Sequence, residues 1–128
     1  VQVANRLVDA LLSAGVKIGD IFVDVLAQAV SAETGAVITV LDTIRRVKTA
    51  YPKIKTVLGL SNVSFGLPNR RLLNQNFAVM CMEAGLDAAI LDPLDKKLMA
   101  NIIACNTLLG RDRYGLNYAR AFREGRLA

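Results

Sequence analysis

Ile21-Phe22-Val23-Asp24-Val25 is the stretch that decides the fold, because it is short, mostly apolar and rich in β-branched and aromatic residues. Such a run is typical of a strand that is buried on both faces, as in a parallel sheet. Two further segments share this character, Thr56-Val57-Leu58-Gly59-Leu60 and Ala88-Ala89-Ile90-Leu91. We therefore predict an α/β protein with three parallel strands.

Segments with helical periodicity separate the predicted strands. Gly15, Pro52 and Gly85 stand where three of these helices should end. The predicted order is helix, strand, helix, strand, helix, strand, helix and a short final helix, with right-handed crossovers between the strands. The expected apolar faces are Val3, Leu7, Leu11 and Ala14; Val37, Val40, Leu41, Ile44 and Val47; Leu73, Phe77, Met80 and Ala84; Leu94, Leu98, Ile102, Cys105 and Leu109; and Tyr114, Tyr118 and Phe122.

Composition narrows the possible functions. The 128 residues include no histidine, so serine and cysteine triads are excluded and a zinc site lacks its usual ligands. The net charge of +5 favours an anionic ligand or partner, but scattered cations and few aromatic residues argue against nucleic-acid binding. No apolar run approaches the ~20 residues of a bilayer span. We expect a cytoplasmic protein with no membrane segment and no metal, and with Cys81 and Cys105 as buried, reduced thiols.

Polar side chains stand where the three predicted strands end. Asp24 closes the first strand, Ser61 and Asn62 follow the second, and Asp92 follows the third. Because parallel α/β proteins bind ligands at the carboxyl ends of their strands, these residues are candidates for one site. Asp24, Asn62 and Asp92, like Asp95, can instead cap the next helix. Asp24 is the strongest candidate, since a carboxylate within an apolar run is costly unless it is paired or used.

Three motifs carry a resemblance to a known family: GLSNVS at 59–64, PNRRLLN at 68–74 and AGLDAAILD at 84–92. They resemble the methyltetrahydrofolate:corrinoid/iron–sulfur protein methyltransferases, and the LSNVS part also resembles the folate-binding domain of cobalamin-dependent methionine synthase. The similarity runs from about Ile21 to the C-terminus. It implies a TIM-type (β/α)8 barrel related to dihydropteroate synthase. Because such a barrel usually needs ~250 residues, residues 1–128 would be the C-terminal half of one pterin-binding barrel domain, from the fifth helix to the C-terminal helix.

The resemblance also implies an activity. The family moves the N5 methyl group of methyltetrahydrofolate to the Co(I) corrinoid (cobalamin) that a partner protein carries. Asp24 would bind the pterin edge, Asn62 would lie near N5 as the catalytic residue, and Ser61 would shape the same pterin-binding loop. Asp92 is a possible further residue of the rim. Val25 departs from the family pattern, which usually has proline after the aspartate.

Several alternatives stay open at this stage. Relatives in the family commonly pair, so we expect a homodimer, and the chain by itself should be inactive if it supplies half of a barrel. It could instead be a non-catalytic α/β assembly module, or another pterin-binding enzyme of the same barrel superfamily. Asn62 and Asp92 stand where dihydropteroate synthases present lysine, arginine and histidine, which argues against that activity. A nucleotide-binding Rossmann unit is excluded by the absence of a GxGxxG or GxxxxGK[ST] loop.

Overall fold

The computed structural model describes all residues of the chain, from Val1 to Ala128. The helices and strands follow one another in the predicted order, and three short 3₁₀ turns lie between them. The elements are α1 (Gln2–Ser13), β1 (Phe22–Asp24), α2 (Ala36–Ala50), β2 (Lys55–Gly59), α3 (Arg70–Ala84), β3 (Ala88–Ile90), α4 (Lys96–Leu108) and α5 (Leu116–Arg123), with 3₁₀ turns at Ile18–Asp20, Ser61–Ser64 and Arg113–Gly115.

The three strands form one parallel sheet in the order β1-β2-β3. Asp24 pairs with Val57, and Gly59 pairs with Ile90. Because each strand lies beside its predecessor in the same direction, right-handed crossovers place α2 and α3 on the same face of the sheet. The predicted parallel α/β architecture is therefore confirmed for these three strands.

Burial differs between the two faces of the sheet. Val25, Leu58 and Leu60 point toward the helices and are buried. On the opposite face, the side chains of Phe22 and Ile90 are 52% and 73% exposed. Since side chains alternate along a strand, Asp24 and Val57 lie on that exposed face as well. We call it the open face. We predicted strands buried on both faces because both faces carry apolar residues. The prediction is confirmed for the face that packs on the helices and is wrong for the open face.

The core lies between the sheet and its helices. Its larger cluster joins α2 and α3 to β2. Its smaller cluster joins α1 and α2 to Ile21 and Ile54, which lie just before β1 and β2. Gly85 adopts a φ of 112° at the end of α3, as a helix-ending glycine should. The fully buried side chains that hold these clusters together are Val8, Ile44, Val47, Ile54, Leu58, Leu60, Cys81 and Leu98.

Two predicted apolar faces are wrong, and the predicted face of α3 is right in part, because Phe77 and Ala84 are buried while Leu73 and Met80 are exposed. In α1 the buried residue is Val8, while Val3 and Leu7 are exposed. In α5 the buried residue is Ala121, while Phe122 is 72% exposed. The small alanine side chain lets the α5 backbone approach α4, which turns the larger aromatic groups outward. Tyr114, Tyr118, Leu94 and Leu109 are likewise not buried.

A polar network joins the amino ends of β2 and β3. The Asp87 carboxylate accepts hydrogen bonds from the Thr56 amide at 2.8 Å and from the Lys48 ammonium at 2.9 Å. Lys48 also donates to the Ile54 carbonyl at 2.8 Å. Partial burial raises the pKa of Asp87, but the hydrogen bonds from Thr56 and Lys48 outweigh it and hold the pKa below its usual value. This network stabilises the end of the sheet opposite the candidate site.

None of the helices combines the length and the apolar character that crossing a membrane would require.

Candidate functional site at the carboxyl ends of the strands

Asp24 lies at the carboxyl end of β1 with its side chain exposed on the open face. One carboxylate oxygen, Oδ1, accepts a hydrogen bond from the Leu26 amide at 2.9 Å. This bond holds the start of the loop, in which Leu26 adopts a φ of 56°. The expected cost of burying this carboxylate does not arise, because no element covers the open face. Its second oxygen, Oδ2, makes no hydrogen bond within the chain, so it can accept one from a ligand.

Asn62 lies in the 3₁₀ turn that follows β2. Its side-chain nitrogen, Nδ2, donates to the Ala27 carbonyl at 2.7 Å. A carbonyl oxygen only accepts, so the nitrogen of the carboxamide must face Ala27. The other end of the carboxamide, Oδ1, therefore points away from Ala27 as an acceptor without a partner in the chain.

The loops after β1 and β2 are tied together. Besides the Asn62–Ala27 bond, the Val30 amide donates to the Val63 carbonyl at 3.0 Å. The Ser31 hydroxyl donates to the Phe65 carbonyl at 2.7 Å. These bonds place Asn62 beside the loop that begins at Asp24. The structure thus brings the two strongest predicted site residues to neighbouring, connected loops.

Side chains of α3 hold the turn that carries Asn62 in place. Arg70 donates from Nη2 to the Ser61 carbonyl at 2.7 Å and from Nε to the Ser64 hydroxyl at 3.0 Å. Ser64 is fully buried and donates to Asn74 Oδ1 at 2.7 Å. Ser61 therefore contributes to the loop through its backbone carbonyl. The supporting roles of Arg70, Ser64 and Asn74 are not evident from the sequence, although all three lie within the quoted motifs.

Asp92 and Asp95 have different roles. Asp95 is the N-cap of α4, because its Oδ1 accepts from the Leu98 amide at 3.2 Å and its side chain is buried. Asp92 is exposed, and its Oδ1 accepts from the Leu94 amide at 2.9 Å. A cavity of about 150 Å³ lies between the ends of β2 and β3, with Ser61 and Asp92 in its lining. Asp24 and Asn62 are not among the residues that line this cavity.

The remaining reactive groups offer no alternative site. No group of three or more Cys, Asp or Glu side chains is arranged to hold a metal ion. Burial raises the pKa of the Cys81 thiol to about 12 and also raises the pKa of Cys105. Because only the thiolate is a good nucleophile, neither cysteine is suited to covalent catalysis. Both cysteines are free and buried, as predicted.

Parallel α/β proteins as a class bind ligands at the carboxyl ends of their strands, which is the edge where Asp24 and Asn62 lie in this chain. Sequence comparison with known proteins indicates which proteins of this class the chain is similar to. Over 107 residues the chain is 40% identical to the methylcorrinoid:tetrahydrofolate methyltransferase of Eubacterium limosum, an alignment that covers 84% of this chain and 40% of that protein. It is 43% identical over 99 residues to the methionine synthase of Mycobacterium leprae, covering 70% of this chain and 8% of that protein.

The methionine synthase of Mycobacterium tuberculosis is 39% identical over 99 residues. No protein-family model matches the chain. The chain spans less than half the length of each of these relatives. The homologues confirm the resemblance at the level of corrinoid and folate methyl transfer, because the name of the first relative states both a methylcorrinoid and tetrahydrofolate.

Proposed function

We propose that this chain forms part of a methyltransferase that moves the N5 methyl group of methyltetrahydrofolate to the Co(I) corrinoid of a partner protein. The observation that carries the proposal is the orientation of Asn62. Its Nδ2 is held by the Ala27 carbonyl, which leaves Oδ1 as a free acceptor beside the loop that begins at Asp24.

An acceptor is the group that this reaction needs. The N5 methyl of methyltetrahydrofolate is a poor electrophile, because its unprotonated leaving group would be an anionic amide. Protonation at N5 makes the leaving group a neutral amine. Asn62 Oδ1 would accept the hydrogen bond from the protonated N5, and the bond helps most if it is preorganised, as the tether to Ala27 provides. The corrinoid of the partner protein would supply the nucleophile for the methyl carbon. The electron pair of the broken carbon–nitrogen bond would stay on N5 as the lone pair of a neutral amine.

Asp24 would hold the pterin ring. The amide–amidine edge of a pterin presents adjacent N–H donors, and Asp24 Oδ2 is an exposed acceptor. Ser61 would shape the loop around the pterin through its carbonyl, and Asp92 would form a further part of the rim. These roles agree with the positions of the four residues at one edge of the sheet.

The proposal extends to the fold. A sheet with its helices on one face and apolar residues on the other is compatible with the wall of a barrel, in which Phe22, Val57 and Ile90 would be directed to the interior. In our proposal residues 1–128 are the C-terminal half of a TIM-type, pterin-binding (β/α)8 barrel. The activity then belongs to the assembled protein, with methyltetrahydrofolate as substrate and a corrinoid protein as partner.

The reverse direction is a second candidate, because the name of the Eubacterium limosum relative makes the methylcorrinoid the donor and tetrahydrofolate the acceptor. By microscopic reversibility the same residues would serve both directions. Asn62 Oδ1 would then accept a hydrogen bond from N5–H while the new carbon–nitrogen bond forms. The favoured direction is found by comparing two rates of methyl transfer. One is measured from methyltetrahydrofolate to cob(I)alamin and the other from methylcobalamin to tetrahydrofolate.

The test compares Asn62→Ala with Asn117→Ala in the intact protein. Asn117 is exposed on α5, and its side chain makes no hydrogen bond, so it is a matched control. We expect Asn62→Ala to slow methyl transfer at least about tenfold, the effect of losing roughly 1.4 kcal/mol of transition-state stabilisation, and Asn117→Ala to change nothing. An unchanged rate in the Asn62 variant would remove this residue from the mechanism. Absence of saturable methyltetrahydrofolate binding to the unmodified protein would refute the proposal and favour the assembly module.

A further inference from the structure

A polar groove of about 500 Å³ runs between the first turns of α3 and α4. Its cationic side chains are Arg71, Lys96 and Lys97, and the amides of Asn69 and Gln75 add hydrogen-bonding groups. We call it the basic groove. Neither the predicted site residues nor the proposed chemistry uses its cations.

The cations of the basic groove have no partner in the chain. The four ion pairs of the structure involve other basic residues. Asp95 is the one acidic residue in the lining, and its carboxylate is already occupied by the Leu98 amide and by Gln75 Nε2. The groove therefore keeps a net positive charge that an anion can neutralise.

These cations occupy positions that the helices themselves disfavour. The N-terminal end of a helix carries a partial positive charge, so acidic residues are preferred in the first turn. Neither α3 nor α4 has an acidic residue there, and their first turns begin with Arg70-Arg71 and Lys96-Lys97. Arg70 is bonded to the 61–64 turn, and Asp95 caps the start of α4. The cations that remain without a partner at this surface are Arg71, Lys96 and Lys97.

The basic groove is continuous with the rim of the candidate site. Arg71 and Asp95 line both the groove and the cavity that contains Ser61 and Asp92. A ligand that reaches this cavity from the strand ends can therefore extend a side arm past Arg71 into the groove.

We propose that the basic groove binds the carboxylates of the glutamyl tail of the folate, an inference that rests on the proposed function. Reduced folates end in a glutamate, and each further γ-linked glutamate adds one carboxylate. Arg71 can bind a carboxylate through two parallel hydrogen bonds, and Lys96 and Lys97 supply point charges farther along the tail. The groove would thus select folates with several glutamates over the monoglutamate.

The test measures the binding of methyltetrahydropteroate without glutamate, of methyltetrahydrofolate with one glutamate, and of the form with three. The groove variant combines Arg71→Gln, Lys96→Gln and Lys97→Gln. Its control combines Lys17→Gln, Lys53→Gln and Arg123→Gln, which remove the same charge from residues that make no ion pair. We expect the triglutamate to bind about tenfold more tightly than the monoglutamate in the unmodified and control proteins, and no gain in the groove variant. The form without glutamate should bind equally to all three proteins.

A gain that persists in the groove variant, or no gain in the unmodified protein, overturns the proposal. If no folate binds at all, the proposed function fails, and titration with γ-linked triglutamate alone decides the groove separately. If triglutamate binds the unmodified and control proteins but not the groove variant, the basic groove is a carboxylate site. No such binding, or binding of inorganic phosphate but not of triglutamate, overturns it. Circular dichroism of both variants verifies folding, which these exposed substitutions should leave intact.

Discussion

Replacement of Asp87 by alanine is expected to destabilise the fold by about 1.5–4 kcal/mol, mainly because it leaves a buried backbone amide without its partner. Thr56 is fully buried, and its amide donates to Asp87 at 2.8 Å. A buried donor that loses its acceptor costs about 1–3 kcal/mol. Lys48 keeps its bond to the Ile54 carbonyl, so the loss of its partly exposed ion pair adds only about 0.5–1 kcal/mol.

Asp42→Ala is the matched control. Asp42 forms an ion pair with Arg46 one turn along α2, and both side chains are more than half exposed. Removing such a pair costs about 0.3–0.5 kcal/mol. Urea unfolding followed by circular dichroism at neutral pH measures both variants. A loss below about 1 kcal/mol for Asp87→Ala, or losses equal in the two variants, would refute the role assigned to the network.

The pH dependence of the same variant provides a second test. The folded-state pKa of Asp87 lies below its unfolded value, since the hydrogen bonds from Thr56 and Lys48 outweigh the effect of burial. A carboxylate with a lowered pKa contributes stability that is present above the unfolded-state pKa and is lost as the pH falls through the folded-state pKa. The difference in unfolding free energy between the unmodified protein and Asp87→Ala should therefore shrink on acidification. A difference that stays constant down to the folded-state pKa would contradict this account.

Two further predictions concern the candidate site and the buried thiols. Arg70→Ala removes the two bonds that this side chain makes to the 61–64 turn and should weaken methyltetrahydrofolate binding about three- to tenfold. Arg111→Ala, which removes one 3.3 Å bond to the Met82 carbonyl, should leave the affinity unchanged. Equal affinities measured by titration calorimetry would exclude Arg70 as a positioning residue. In a Cys105→Ser variant, the remaining thiol of Cys81 has a pKa of about 12 and should react with iodoacetamide at neutral pH at least about a thousandfold more slowly than in urea. Comparable rates would show that the α3 core opens readily.

The positions of the site residues follow from the sequence to a large extent. Asp24, Asn62 and Asp92 end or follow apolar strands, and a parallel sheet brings such positions to one edge whatever the details of packing. The direction in which Asn62 presents its oxygen does not follow, because it depends on the Ala27 carbonyl, 35 residues away in the chain. The same holds for the choice between Asp92 and Asp95 as the cap of α4, which depends on contacts with Leu98 and Gln75.

The loop after β1 departs from the family pattern in a way that the tertiary structure explains. Val25, where the resembled family usually has proline, keeps its amide and donates it to the Val57 carbonyl at 3.1 Å. Proline has no amide hydrogen and could not form this bond. The bend of the chain falls one residue later, at Leu26, whose φ of 56° is stabilised by the carboxylate of Asp24. Asp24 therefore shapes its own loop while it remains exposed at the rim.

The sequence by itself determined the order of helices and strands, the parallel sheet and the residues at the strand ends, because periodicity, helix-ending glycines and short apolar runs are local properties of the chain. Tertiary structure decided which apolar surfaces become buried. Val8 and Ala121 are covered, while the apolar groups of the open face and the aromatic groups of α5 are not. An amphipathic pattern specifies a surface that can be buried, but burial also requires a partner element at the right distance. That condition depends on the arrangement of all the elements together.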